Sequence, residues 1–140
     1  TSIRDDGDGL ARAACQALDG AQLAPADIGM VVAHGNGTPQ SDISEAAAIR
    51  RVFGATPPPM TAFKWALGHT IAAAGILETT LALEALARGT VPGVANLARL
   101  DPACAGVPVS AGAQKPRSKV ALILCRGFAG TNAALVVRAA

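Results

Sequence analysis

The sequence has no tyrosine and a single tryptophan, and aromatic residues make up only 3% of it. Binding of single-stranded nucleic acid by base stacking needs exposed aromatic rings, so that class of function has little to work with. Charge is sparse as well. Charged residues amount to 16% and the net charge is +2, with no basic stripe to neutralise a phosphate backbone. Cysteine occurs three times, at Cys15, Cys104 and Cys125. An odd number without C-x-x-C spacing argues against a disulfide framework and points to reduced thiols in a cytoplasmic setting. The start of the chain, Thr1 to Asp6, lacks the basic-then-apolar order of a signal peptide. The most apolar run, Ile71 to Ala87, is short for a bilayer and carries Glu78 and Glu84. It is expected to be a buried helix and no membrane span.

What remains is a globular composition, 51% hydrophobic over 140 residues, enough for one domain with a modest core. Leu10, Ala14, Ala17 and Leu18 have helical spacing, with Asp5, Asp6 and Asp8 favouring the start and Gly20 expected to end the helix. Ile28 to Ala33 reads as a short buried strand running into the glycine-rich turn His34-Gly35-Asn36-Gly37-Thr38. A second helix is expected from Ser41 or Asp42 to Phe53, with Asp42 and Glu45 at the spacing of a capping pair. Met60 to Phe63 suggests a short strand, Lys64 to Gly68 a loop, and Ile71 to Arg88 a long helix. Thr90 to Arg117 is rich in Pro, Gly and Ala and reads as irregular connection. Lys119 to Cys125 and Ala133 to Val137 are expected to be antiparallel neighbours around a short turn. The pattern as a whole is α/β, with helices packed on a mixed sheet.

Three segments are candidate sites, and each taken alone has an ordinary structural explanation. His34 lies in a Gly-rich turn at the C-terminal end of a strand, where α/β sheets bind ligands. His69, closing Lys64-x-x-x-Gly68-His69, sits before a helix whose positive end favours a neutral, hydrogen-bond-donating imidazole. Gly127-Phe128-Ala129-Gly130-Thr131-Asn132 is a small-residue loop able to aim backbone N–H groups at a developing oxyanion. His34, His69, Asp42 and Glu45 lack the spacing of known metal motifs, so no metal site is expected.

Together, in this order, these segments carry a resemblance. His34-Gly35-Asn36-Gly37-Thr38 with Asp42 and Glu45 resembles the H-G-T-G-T-x-x-x-D-x-x-E motif of β-ketoacyl synthases. Lys64-x-x-x-Gly68-His69 with Ala73-Ala74-Gly75 is similar to their K-x-x-x-G-H-x-x-x-A-A-G motif. Gly127 to Asn132 is similar to their G-F-G-G-T-N loop, and Val91-Pro92, Asn96-Leu97 and Asp101-Pro102 resemble the intervening connection. The resemblance spans nearly all of residues 1–140. It implies the C-terminal half of a thiolase-like fold and decarboxylative Claisen condensation of a malonyl carrier protein with an enzyme-bound acyl thioester, in fatty-acid or polyketide synthesis.

By this resemblance His34 and His69 are the active-site histidines that stabilise the enolate. Lys64 is a buried lysine expected to pair with Glu78. Phe128 supplies a backbone oxyanion donor and a gatekeeper side chain. Thr38 and Thr131 contact pantetheine or shape the loops, and Asp42 and Glu45 give structural support. The implied partners are an acyl carrier protein, the N-terminal half of the synthase, and a second ketosynthase-like subunit in a homodimer or heterodimer. No bound cofactor is implied, since substrates ride on the carrier's phosphopantetheine.

Some positions depart from the pattern. Asn36 stands where most members have Thr, Arg126 where many have an aromatic residue, and Ala129 where a glycine is usual. None of the three cysteines lies in a nucleophile turn, and the family's cysteine belongs to the N-terminal half. The first, central strand of the C-terminal half is expected to be missing before Thr1, leaving open edges and exposed apolar surface. The competing readings are a non-catalytic partner of the chain-length-factor or scaffold type and, more weakly, a thiolase-type degradative enzyme.

Overall fold

A computed structural model describes residues 3–140. Along the chain lie α1 (Asp8–Ala21), β1 (Met30–Val32), α2 (Pro39–Phe53), β2 (Met60–Thr61), α3 (Lys64–Leu67), α4 (Ala74–Ala87), β3 (Val120–Arg126) and β4 (Asn132–Arg138). The strands form one mixed sheet in the order β2-β1-β3-β4. β1 is parallel to both neighbours, and β3 pairs antiparallel with β4 from Val120↔Arg138 to Arg126↔Asn132.

No strand is missing between β1 and β3, and β4 stands at an edge of the sheet. β1 bonds directly to β3, with Val31 opposite Leu122, and Met60 of β2 bridges outward to Val109. Gly29 allows this close pairing. Its N–H donates to the Val120 carbonyl at 2.8 Å, and its own carbonyl accepts from Arg117 N–H at 3.0 Å. A Cβ there would sit 2.1 Å from the Ser118 carbonyl oxygen, so the approach requires glycine.

Alternation along β1 and β3 divides the core in two. Val31, Leu122 and Leu124 face Leu10, Leu18 and Ile49 of α1 and α2. Met30, Val32, Ala121 and Ile123 face Ala82, Ala85 and Leu86 of α4. β1 is buried on both faces, as a central parallel strand should be.

Several boundaries differ from expectation. α1 runs through Gly20, and Gln22, with a φ of 56°, closes it. One interior glycine costs only about 1 kcal/mol, which the buried Leu10–Ala14–Leu18 stripe outweighs. α2 starts earlier, with Thr38 at the cap position and Pro39 in the first turn, where proline loses no hydrogen bond. Asp42 and Glu45 are therefore no capping pair. Lys64 to Leu67 is a helical turn instead of a loop. The expected long helix is a 3-10 turn, Ile71–Ala73, followed by α4. α4 is buried only along Ala74, Glu78, Ala82, Ala85 and Leu86, because the sheet meets one side of it. Ile76, Leu77 and, just before the helix, Ile71 are exposed. Among the described residues no helix is long and apolar enough to cross a membrane.

Candidate active site

Because β1, β2 and β3 run parallel, the segments that follow them leave from the same edge of the sheet. Those segments carry His34, Lys64 with His69, and Gly127 to Thr131. The His34 and His69 rings meet edge to face, with centroids 5.3 Å apart and planes at 77°. They line a cleft of about 490 Å³ together with Cys125, Arg126, Gly127 and Thr131.

His34 is held from every side. Its N–H donates to Glu45 Oε1 at 2.7 Å, and the next N–H, of Gly35, donates to Glu45 Oε2 at 3.0 Å. Its carbonyl accepts from Lys64 Nζ at 2.6 Å, and its Nδ1 accepts from the Arg126 N–H at 3.2 Å. Burial first, then the charges of Lys64, His69 and Arg126, pushes the imidazole down to about 4, so the ring is neutral at physiological pH. With Nδ1 accepting, the ring proton resides on Nε2.

His69 is more exposed and is built the same way. Its Nδ1 accepts from the Ile71 N–H at 3.1 Å, so the neutral ring also carries its proton on Nε2. Ile71 holds this geometry with a left-handed φ of 53°, an unusual conformation for a β-branched residue.

Behind the histidines, Lys64 Nζ lies 2.5 Å from Glu78 Oε1, with both side chains buried, so the expected ion pair is present. Glu45 is buried, and burial raises its carboxyl above the usual range against the opposing pull of the two N–H donors. Asp42 is raised by burial too, and its Oδ1 has no hydrogen-bond partner.

The other expected site residues divide. Thr131 lines the cleft. Thr38 does not: its N–H and hydroxyl both donate to Asn36 Oδ1, at 3.1 and 2.8 Å, in a local turn. The Phe128 side chain is 87% exposed and stands clear of the cleft. Two cleft residues were not expected from the motifs. Cys125 was read only as a strand end and Arg126 only as a departure, and the two-residue period of β3 was the signal that one of them faces the histidines. Burial first, and then Glu78, pushes the Cys125 thiol up, so it is no poised thiolate.

A mixed sheet covered by helices on both faces, with its reactive loops gathered at one edge, is the thiolase-like arrangement, and solved structures match it closely. A ketosynthase in complex with its chain length factor from Xenorhabdus doucetiae superposes with a TM-score of 0.91 at 28% identity, over 100% of this chain and 35% of that one. A type II polyketide acyl carrier protein in complex with its ketosynthase gives 0.92 at 32% identity, over 100% and 35%. The chain belongs to the β-ketoacyl synthase family, matching the family's C-terminal domain over residues 1–98. It is 34% identical over 139 residues to the tetracenomycin polyketide synthase ketoacyl synthase alpha subunit of Streptomyces glaucescens, covering 98% of this chain and 33% of that protein. It is 33% identical over 136 residues to 3-oxoacyl-[acyl-carrier-protein] synthase 1 of Escherichia coli K12, covering 97% and 33%. The chain thus spans about a third of the length of these relatives.

Proposed function

We propose that this chain supplies the decarboxylation half of the active site of a β-ketoacyl-acyl carrier protein synthase. One observation carries the reading: His34 and His69 both have Nδ1 engaged by a backbone N–H, which leaves two neutral Nε2–H donors side by side. In the reaction, the bond from the malonyl Cα to its carboxylate breaks and carbon dioxide leaves. The electron pair delocalises onto the thioester oxygen, where two preorganised donors are worth several kcal/mol. The enolate carbon then attacks the acyl thioester, forming the new C–C bond and expelling the cysteine thiolate. By the family resemblance that cysteine belongs to the N-terminal half; the thiol in this cleft, Cys125, is pushed up by burial and Glu78, which does not suit a nucleophile. This chain alone is therefore expected to be inactive.

The apolar surface of Ile71, Ile76 and Leu77 supports packing against that half. The acyl carrier protein delivers both substrates, and a second ketosynthase-like subunit completes a homodimer or heterodimer. The three free thiols support a cytoplasmic location.

The test is malonyl-carrier-protein decarboxylation by the full-length protein. His34→Ala and His69→Ala should each lower the rate about 10²- to 10³-fold. Unchanged rates in both would sink the proposal. The non-catalytic partner reading draws on Asn36, Arg126 and Ala129, where the chain departs from the family pattern. It requires that the full-length protein show no decarboxylation at all.

A further inference from the structure

We infer that Arg126 is a positioning residue for His34: its guanidinium ties the end of β3 to the first turns of α2 and balances the buried carboxylate that carries the His34 loop. The inference rests on the proposed role of His34 as an oxyanion donor and names a group that sets its geometry and charge.

Arg126 acts through both its ends. Its backbone N–H is the donor that orients the His34 ring through Nδ1. Its Nη1 donates to the Ser41 carbonyl at 3.3 Å and its Nη2 to Ser44 Oγ at 3.0 Å. Those contacts fix where that backbone N–H stands relative to α2. Ser44 in turn donates to the Arg4 carbonyl at 2.5 Å, so the clamp is itself anchored. The next residue along α2 is Glu45, whose two oxygens hold the N–H groups of His34 and Gly35. The guanidinium thus holds the same turn of α2 that carries Glu45, while the Arg126 backbone N–H holds the His34 ring.

The charges fit this role. The groups around His34 are Lys64, His69 and Arg126 on one hand and Asp42, Glu45 and Glu78 on the other. Lys64 is in contact with Glu78, whereas Arg126 forms no direct ion pair among the described residues. Its charge thus acts through space, favouring ionised Glu45 and Asp42 and disfavouring protonated His34. A purely structural residue would not be built this way. Arg126 Nε, Asp42 Oδ1 and Ser41 Oγ are all buried without a hydrogen-bond partner. Orphans of this kind cost about 1–3 kcal/mol each, and an apolar side chain would avoid the one on Arg126. An uncompensated local cost retained beside a reactive group marks a functional constraint.

The experiment compares Arg126→Met and Arg126→Lys with the unaltered full-length protein in malonyl-carrier-protein decarboxylation across pH. Every variant keeps the backbone N–H, so any change comes from the side chain. Arg126→Met should lower kcat about 10- to 100-fold with KM within about twofold. The acid limb of its profile should move up, because His34 loses one of its neighbouring positive charges. Arg126→Lys should keep the acid limb in place while recovering only part of kcat. An unshifted acid limb in Arg126→Met, or Lys and Met profiles that coincide, would overturn the inference. If Arg126→Met does not fold, the comparison of Lys with Arg in kcat decides it: equal values reject the clamp. If His34→Ala proves as active as the unaltered protein, the underlying reading fails separately. ¹⁵N NMR of the His34 ring then tests the inference alone: a titration midpoint that does not rise in whichever Arg126 variant neutralises the charge and folds rejects it.

Discussion

Lys64 and Glu78, fourteen residues apart in sequence, meet at 2.5 Å with side chains 5% and 2% exposed. A pair this buried gains little net stability over a well-packed apolar pair, but breaking it strands a charge. Glu78→Gln should therefore cost about 3–5 kcal/mol in denaturant unfolding, while Lys64→Met with Glu78→Leu should recover most of that loss. A cost below about 1 kcal/mol for the single variant would mean that the pair is hydrated in solution. Lys64 also holds the His34 carbonyl, so the apolar double variant should be stable yet slow.

The pH dependence of stability has a definite sign. The folded-state pKa of His34 is lowered from 6.5 to about 4, so between those values the unfolded chain binds more protons. Its contribution is fully present above pH 6.5 and is lost as pH falls toward 4, amounting to roughly 3 kcal/mol. Glu45 and Asp42, raised by burial, oppose this, since their contributions weaken as pH rises through the carboxylate range. Urea unfolding of the unaltered protein and of His34→Gln between pH 4 and 7 isolates the histidine term. The two stability curves should converge toward pH 4, and parallel curves would contradict the assignment.

Glu45 offers two oxygens to two N–H groups, and Glu45→Gln can offer only one. One of the His34 and Gly35 donors is then left buried and unpaired, at about 1–3 kcal/mol, partly offset by removing a buried charge. Hydrogen exchange should show the change locally. The amides of His34 and Gly35 should lose protection while those of Leu122 and Ile123 in β3 keep theirs.

The sequence reveals the site more readily than its support. His34, His69 and Lys64 are legible because each motif joins a strand end to a glycine, and parallel strands bring such ends together. The pairing of Lys64 with Glu78 followed from resemblance alone, since no local pattern links residues fourteen apart. Glu45 reads locally as a capping residue, yet it serves the preceding loop, because Pro39 starts α2 earlier than the capping pattern implies. Only the position of the first strand expected to be missing was misjudged: β1 and β3 are direct neighbours, so it does not lie between them. Periodicity identifies strands but not their order, and the pairing of β1 with β3 depends on a close approach at Gly29. The exposed side of α4 was unreadable for a related reason: an apolar helix looks the same whether one face or both are covered within the chain.

Ile71 carries the last prediction. It is a β-branched residue held at φ 53° while 62% exposed, so it bears backbone strain with little burial in return. The left-handed conformation costs an L-residue about 1–2 kcal/mol, and glycine relieves that while losing about 0.5–1 kcal/mol of folding entropy. Ile71→Gly should therefore be neutral to slightly stabilising, with a Tm equal to or a few degrees above that of the unaltered protein. Activity should move the other way. The Ile71 N–H is the donor to His69 Nδ1, and a freer backbone lets that ring leave its orientation. Ala129→Gly, at φ 56° in the Gly127 to Gly130 loop, relieves the same kind of strain without touching the His69 bond, and serves as the control. If decarboxylation falls in Ile71→Gly but holds in Ala129→Gly, the strain at Ile71 orients the catalytic ring. If both lose activity equally, loop stiffness in general matters and the Ile71–His69 bond has no special role.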